Sequence, residues 1–193
     1  MEFEEYKKYR WFFTASEKLV VGGKSAEQND ALLNRIKNVK ENLIVMHTAE
    51  PSSPFSVIMA DVKKVSKKDL EECAIFTGCF SRAWRSGKDN TEIHIFKKSE
   101  ISKGERMKAG TWGVLGKVEK MNVALKLALT YQNKVLRAVP EKSVKNEEVL
   151  AKLAPGKIEK ANLAEAIKVN FGIDFNKEEL LSAVPAGGFK ILR

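Results

Sequence analysis

Two cysteines and two histidines are all that this chain of 193 residues offers as thiolate or imidazole ligands. Cys73 and Cys79 stand six apart in a predicted helix, about 120° off each other's face. Neither CxxC spacing nor a further ligand set accompanies them, so they read as reduced core thiols and no metal site is expected. His47 and His94 do not assemble by spacing into a Ser/His/Asp or Cys/His set. Ser52 and Ser53, beside prolines, read as turn residues. No catalytic residue and no cofactor is therefore expected, and no GxGxxG or Walker lysine motif is present. No apolar run approaches the ~20 residues needed to cross a bilayer. The first residues, MEFEEYKKYRW, lack the apolar core of a signal peptide. A cytoplasmic protein with no membrane partner is the expectation. Internal repeats and low-complexity tracts are absent as well.

Positive charge is present in excess. The chain carries 34 Lys and Arg against 25 Asp and Glu, a net +9. Residues 1–140 hold 25 of those cations against 17 acids, so nearly all of the surplus lies there. Long-range attraction to a polyanion would be felt in that part.

In chain order, Tyr9–Thr14 and Lys18–Val21 read as a β-hairpin, broken by Gly22-Gly23. Ser25 then reads as the N-cap of a helix over Ala26–Lys37. Strand, Gly-Gly and polar helix start form a geometry able to hold an anion, or simply a tight turn. Asn42–His47 and Phe55–Ala60 read as strands around a Pro/Ser loop. Ser66 starts a helix whose apolar spacing reaches Trp84, with Arg82 and Arg85 flanking that ring. Glu92–Lys97 alternates as a strand. A second hairpin is expected over Ala124–Tyr131 and Lys134–Val139. Beyond Pro140 the pattern reads as all-helical, with helices over Glu147–Leu153, Ile158–Phe171 and Lys177–Val184. The expected fold class is α+β: a largely antiparallel sheet with packed helices over residues 1–140, plus a C-terminal helical lobe over 141–193.

The stretch from Phe96 to Met121 carries the most distinctive chemistry. Lys97, Lys98, Lys103, Arg106, Lys108, Lys117 and Lys120 stand there against three glutamates. Gly104, Gly110, Gly113 and Gly116 make it a loop with a short strand over Thr111–Leu115, not a helix. Cations on such a frame suit a phosphate backbone. Trp112 reads either as a platform for a base or as core, and its place on one strand face with Val114 favours core.

Three segments taken together resemble the NFACT-R domain, a module regarded as RNA-binding. They are Gly22-Gly23-Lys24 with Ala26, Gln28 and Asn29; Ser81-x-Ala83-Trp84; and the run containing Ser102, Lys103, Gly104, Glu105, Met107, Gly110, Trp112, Gly116 and Lys117. The resemblance covers roughly Phe3 to Pro140, and it is nearest to the standalone archaeal type. Related domains end the fibronectin-binding-protein-A-like factors that extend stalled chains on the ribosome. The resemblance implies that Lys24, Gln28 and Asn29 join the RNA-binding set. Residues 141–193 lie outside it, and the tail-adding factors' remaining parts do not fit in 193 residues, so tail synthesis by this chain alone is not expected.

The leading expectation is a noncatalytic RNA-binding module that docks transfer RNA or ribosomal RNA, with the large ribosomal subunit as a partner and a link to translation quality control. Lys97, Lys98, Lys103, Arg106, Lys108, Lys117 and Lys120 would contact phosphates, with Arg82 and Arg85 as a second patch. DNA binding stays open, since phosphate contacts alone do not discriminate. Two other classes are carried beside it. An enzyme acting on a phosphorylated small molecule would use Gly22-Gly23 and His47 in a deep pocket. A protein-interaction module would use its terminal helices.

Overall fold

The structure is a computed structural model that describes residues 3–51, 53–116 and 118–192. The chain from Arg10 to Ala124 builds a six-stranded sheet. Its strands are β1 (Arg10–Phe13), β2 (Leu19–Gly22), β3 (Leu43–Thr48), β4 (Ser56–Asp61), β5 (Asn90–Lys97) and β8 (Glu119–Ala124), in the order β1-β2-β4-β3-β5-β8. Every pairing is antiparallel. A two-stranded ribbon, β6 (Ile101–Ser102) with β7 (Gly113–Val114), closes the loop between β5 and β8.

The near-continuous apolar runs of β2, β3 and β4 follow from burial on both faces, since successive side chains of a strand point to opposite sides. Val21, Val45 and Val57 pack under α1 (Ala26–Lys37) with Leu32, Leu33 and Ile36. Val20, Ile44 and Ile58 pack on the other side under α2 (Lys67–Cys79) with Cys73, Ala74 and Phe76. Burial pushes both cysteine thiols well above their ordinary pKa. Asp69 fixes the start of α2: its carboxylate accepts from Ser66 N and Ser66 Oγ, and from Thr14 Oγ1 and Ser16 Oγ in the β1–β2 turn. The helix expected to run from Ser66 to Trp84 is in two pieces. Ser81 breaks it, its hydroxyl accepting from Ala83 N as the cap of α3 (Arg82–Arg85).

The C-terminal part departs from the all-helical expectation. A second sheet has the order β10-β9-β11-β12, formed by β9 (Leu127–Gln132), β10 (Val135–Pro140), β11 (Ala151–Ile158) and β12 (Phe189–Leu192). The helix expected over Glu147–Leu153 is replaced by strand β11, because Ala151–Leu153 pair with Leu127–Leu129 of β9. Pro155-Gly156 do not end that element. The register against β12 slips between Pro155 and Ile158, and the strand passes through the irregularity. Two helices do form, α4 (Leu163–Phe171) and α5 (Lys177–Ala183). The division expected at residue 140 does not coincide with a sheet boundary, since this sheet draws two strands from each side of it.

Trp84 sits fully buried in the second core among Leu129, Leu153, Ile167, Leu180 and Phe189, and its Nε1 donates to Gly188 O at 3.0 Å. The edges of the two sheets meet at β1. There the Gln132 amide accepts from Phe13 N at 2.8 Å and donates to Phe13 O at 2.9 Å. One side chain thus stands in for a neighbouring strand.

Candidate nucleic-acid interface

The turn from β2 into α1 is held by its own polar residues. Ser25 Oγ accepts from Gln28 N, and Gln28 Oε1 accepts from Lys24 N at 3.1 Å. Asn29 is buried and bridges to the approach of β4, its Oδ1 accepting from Phe55 N at 3.0 Å and its Nδ2 donating to Ser53 O at 3.4 Å. The backbone of Gly23 lies against that amide, where a Cβ would stand 2.2 Å from Asn29 Oδ1. Two members of the sequence-expected RNA set, Gln28 and Asn29, are thus engaged in bracing the turn. Lys24 remains exposed at its tip.

A second brace organises the basic loop. Asp30 of α1 accepts from Trp112 Nε1 at 2.7 Å, from Gly110 N at 3.0 Å and from Lys103 Nζ at 3.1 and 3.2 Å. Lys103 Nζ also donates to the carbonyls of Lys108 and Thr111. Gly110 has φ +75°, and a Cβ there would meet Ala26 at 2.9 Å, so glycine lets this turn seat on the first residue of the helix. Burial works against the Asp30 carboxylate. The Gly110 N–H, the Trp112 indole and Lys103 outweigh it and hold the pKa below the usual range. Trp112 is only 7% exposed and packs with Leu33, Phe96 and Ile101, under the Lys37 ammonium at 4.6 Å from the ring centroid. Of its two sequence readings, the structure gives core.

These braces bring separate segments around one open cleft of about 870 Å³. Its walls take Gly23, Lys24 and Ser25 from the β2–α1 turn, Ala109 to Trp112 from the basic loop, His47 and His94 from the sheet, and Arg82 and Arg85 from α3. Arg10 enters from β1, its Nη1 donating to Gly23 O at 2.7 Å and its guanidinium 5.3 Å from the Phe80 ring centroid. Four cations line the cleft, and among the described residues no carboxylate does. None of the four makes an ion pair among the described residues. Burial lowers the pKa of Arg10, and burial together with the Arg137 and Arg10 charges lowers that of Lys24. His47 donates from Nδ1 to Thr48 O at 2.7 Å, and burial holds it below the ordinary imidazole range, so it is neutral near pH 7.

The remaining expected residues are dispersed. Arg106 and Lys108 are exposed on the loop that leads into the cleft wall at Ala109. Lys97, Lys98 and Lys120 do not line the cleft. Lys98 Nζ donates to the carbonyl of Val39, Lys97 stands 3.8 Å from Glu100, and Lys120 pairs with Glu92 at 3.1 Å. Lys117 lies outside the described residues. The sequence reading missed Arg10, which sits in an aromatic run that reads only as a strand. Its signal was its register opposite Gly22 at the glycine turn.

The family model for the NFACT protein RNA binding domain matches residues 8–116, more than half of the chain and all of the cleft except Ala186. The chain belongs to that family. An archaeal Rqc2 homolog, aRqcH, from Methanocaldococcus jannaschii is 29% identical over 201 aligned residues, which take in 97% of this chain and 29% of that protein. A ribosome quality control complex subunit NEMF homolog from Drosophila melanogaster is 29% identical over 118 residues, 58% of this chain and 12% of that protein. The chain thus spans less than a third of the length of either of these two relatives. Among solved structures, the C-terminal part of the fibronectin/fibrinogen-binding protein from Streptococcus suis superposes with a TM-score of 0.53 at 16% identity. It covers 64% of this chain and 47% of that one, a likeness of fold. The NFACT RNA-binding assignment agrees with the resemblance read from the three motif segments.

Proposed function

We propose that this NFACT-family chain binds structured RNA, transfer RNA or ribosomal RNA, by laying the backbone across the basic cleft. On this reading it acts in the cytoplasm as a noncatalytic module of ribosome-associated quality control, with the large ribosomal subunit as its setting. The observation that carries the proposal is the cleft lining: four cations from three separate segments and, among the described residues, no acid. Phosphate contacts supply most of the affinity of such a surface and position the strand. Lys24, Arg82 and Arg85 are the outward-facing contacts, with Arg106 and Lys108 at the cleft's edge. Lys103, Gln28, Asn29 and Trp112 shape the surface from behind. The printed names of the two relatives, an Rqc2 homolog and a NEMF homolog, support the quality-control setting.

The cleft is open and assembled from both faces of the sheet, which favours a polymer over a small phosphorylated substrate enclosed in a deep pocket. The test is a filter-binding titration of transfer RNA at rising salt. With about five phosphates neutralised, log K should fall with log salt at a slope between about −3.5 and −4.5. A slope indistinguishable from zero would overturn the electrostatic mechanism.

A further inference from the structure

The cleft carries rings as well as cations. His47, Phe55, Phe80, His94, Phe96 and Trp112 all line it. Phe55, Phe96 and Trp112 are buried, whereas His47, Phe80 and His94 keep part of their surface open. His47 of β3 and His94 of β5 are directly opposed in the antiparallel register. Side chains paired in this way share one sheet face, with Cβ atoms about 4.5–5.5 Å apart. Each imidazole is backed by a phenylalanine. The Phe55 ring lies 4.4 Å from His47 between centroids, and Phe96 meets His94 edge-on at 6.2 Å. Each is also anchored through one nitrogen, His47 Nδ1 donating to Thr48 O and His94 Nε2 to Glu92 Oε1 at 3.0 Å. Phe80 is held between Phe76, at 4.7 Å, and the Arg10 guanidinium.

Phosphate binding accounts for the cations and leaves these rings without a task. A duplex offers its backbone and a wide, shallow minor groove while its bases stay stacked inside, so a concave ring-lined surface gains nothing from it. An unpaired nucleotide uses both parts. Its base can stack on imidazole, phenyl or guanidinium planes while its phosphates meet the cations. The volume of about 870 Å³ lies within the ~300–1,000 Å³ of sites that enclose a small ligand, which leaves room for an unstacked nucleotide.

We propose that the cleft takes an unpaired stretch of RNA, with a base stacked against His47 and His94 and its neighbouring phosphates on Lys24, Arg82 and Arg85. The assignment rests on the RNA-binding reading and narrows the ligand to single-stranded segments, a loop or a chain end. His94 is then a residue that distinguishes single strand from duplex.

Three probes of equal length test this at fixed ionic strength: a single-stranded RNA, its blunt duplex, and an abasic ribose-phosphate chain carrying the charges of the single strand. A surface that reads phosphates alone favours the duplex, whose charge density is higher. The single strand should instead bind about fivefold or more tighter than either of the others. His94→Ala should close most of the gap between single strand and abasic chain with the salt slope unchanged. His94→Phe, which restores a ring, should reopen it. If His94→Ala does not fold, the wild-type comparison with the abasic chain still decides. A duplex or an abasic chain bound as tightly as the single strand overturns the inference. So does a folded His94→Ala that loses about one unit of salt slope, since that makes His94 a phosphate contact. A preference for duplex leaves the RNA-binding reading standing, whereas binding of neither RNA sinks that reading itself.

Discussion

The Lys103 ammonium stands 3.1 and 3.2 Å from the two carboxylate oxygens of Asp30, 73 residues earlier in the chain. Two carbonyls of its own loop take the rest of its donors. Lys103, expected from the sequence to contact phosphates with its neighbours, is therefore engaged as a strut. The loop it ties down is the one that forms a wall of the cleft.

That contact separates three neighbouring cations by role. Lys103→Glu should destabilise the fold by about 1–3 kcal/mol, a figure discounted because both partners keep some solvent. Arg106→Glu and Lys108→Glu, on exposed side chains, should stay within about 0.5 kcal/mol of wild type. Urea unfolding of the three single variants checks this. Equal stabilities would show that the Asp30 brace contributes nothing.

Trp112 is predicted to behave as core. Trp112→Ala should cost about 3–5 kcal/mol of stability. Trp112→Phe keeps most of the ring but leaves Asp30 one donor short, at about 1–3 kcal/mol. A Trp112→Ala protein that melts like wild type and loses only RNA affinity would instead mark a stacking platform.

The long apolar strands were legible because burial on both faces leaves an unbroken run, as in Leu43–Met46 and Ser56–Met59. So were α1 and α2, each with a serine cap. β8 was missed because it is an edge strand: Glu119, Lys120, Asn122 and Ala124 are exposed, and among the described residues its outer side has no partner strand to impose a pattern. β11 was missed because Glu147–Leu153 fits a short helix equally well, and only its pairing with β9 decides between them. Within the site, the three motif segments each contribute residues to the one cleft. They did not disclose roles, because Asn29, Lys103 and Trp112 are defined by partners 24 to 82 residues away. A motif records that a residue is needed without saying whether it faces the ligand or the frame.

His47 makes stability depend on pH. Burial lowers its pKa in the folded state, with the charge of His94 across the strand pair adding to the effect. The unfolded chain takes up this proton near pH 6.5, while the folded chain resists it. Its contribution is therefore full above about pH 6.5, falls as pH drops through that value, and levels off below the lowered folded pKa. Urea midpoints between about pH 7.5 and 5 should decline in the wild type and decline less in His47→Gln. Parallel curves would show that His47 is free to protonate.

Asp69 sets a second, more acidic limit. Burial opposes its charge, but hydroxyls from Ser16, Thr14 and Ser66 and the Ser66 N–H outweigh that and depress its pKa strongly. The resulting stability is present above about pH 3.8 and is lost as pH falls toward the depressed folded value. Asp69→Asn should weaken the protein at neutral pH and flatten the acid limb of its unfolding profile. An acid limb that keeps its wild-type slope would assign the effect to another carboxylate.

The central claim, that RNA lies in the cleft and not on positive surface in general, is tested by two charge-matched triple variants. One carries Lys24→Glu, Arg82→Glu and Arg85→Glu, all lining the cleft. The other carries Lys97→Glu, Lys120→Glu and Lys134→Glu, all away from it. Both change the net charge equally, so non-specific attraction falls equally. Transfer RNA binding measured against salt should show the cleft variant losing about tenfold or more in affinity and two to three units of salt slope, with the other variant close to wild type. Equal losses in the two variants would contradict the account.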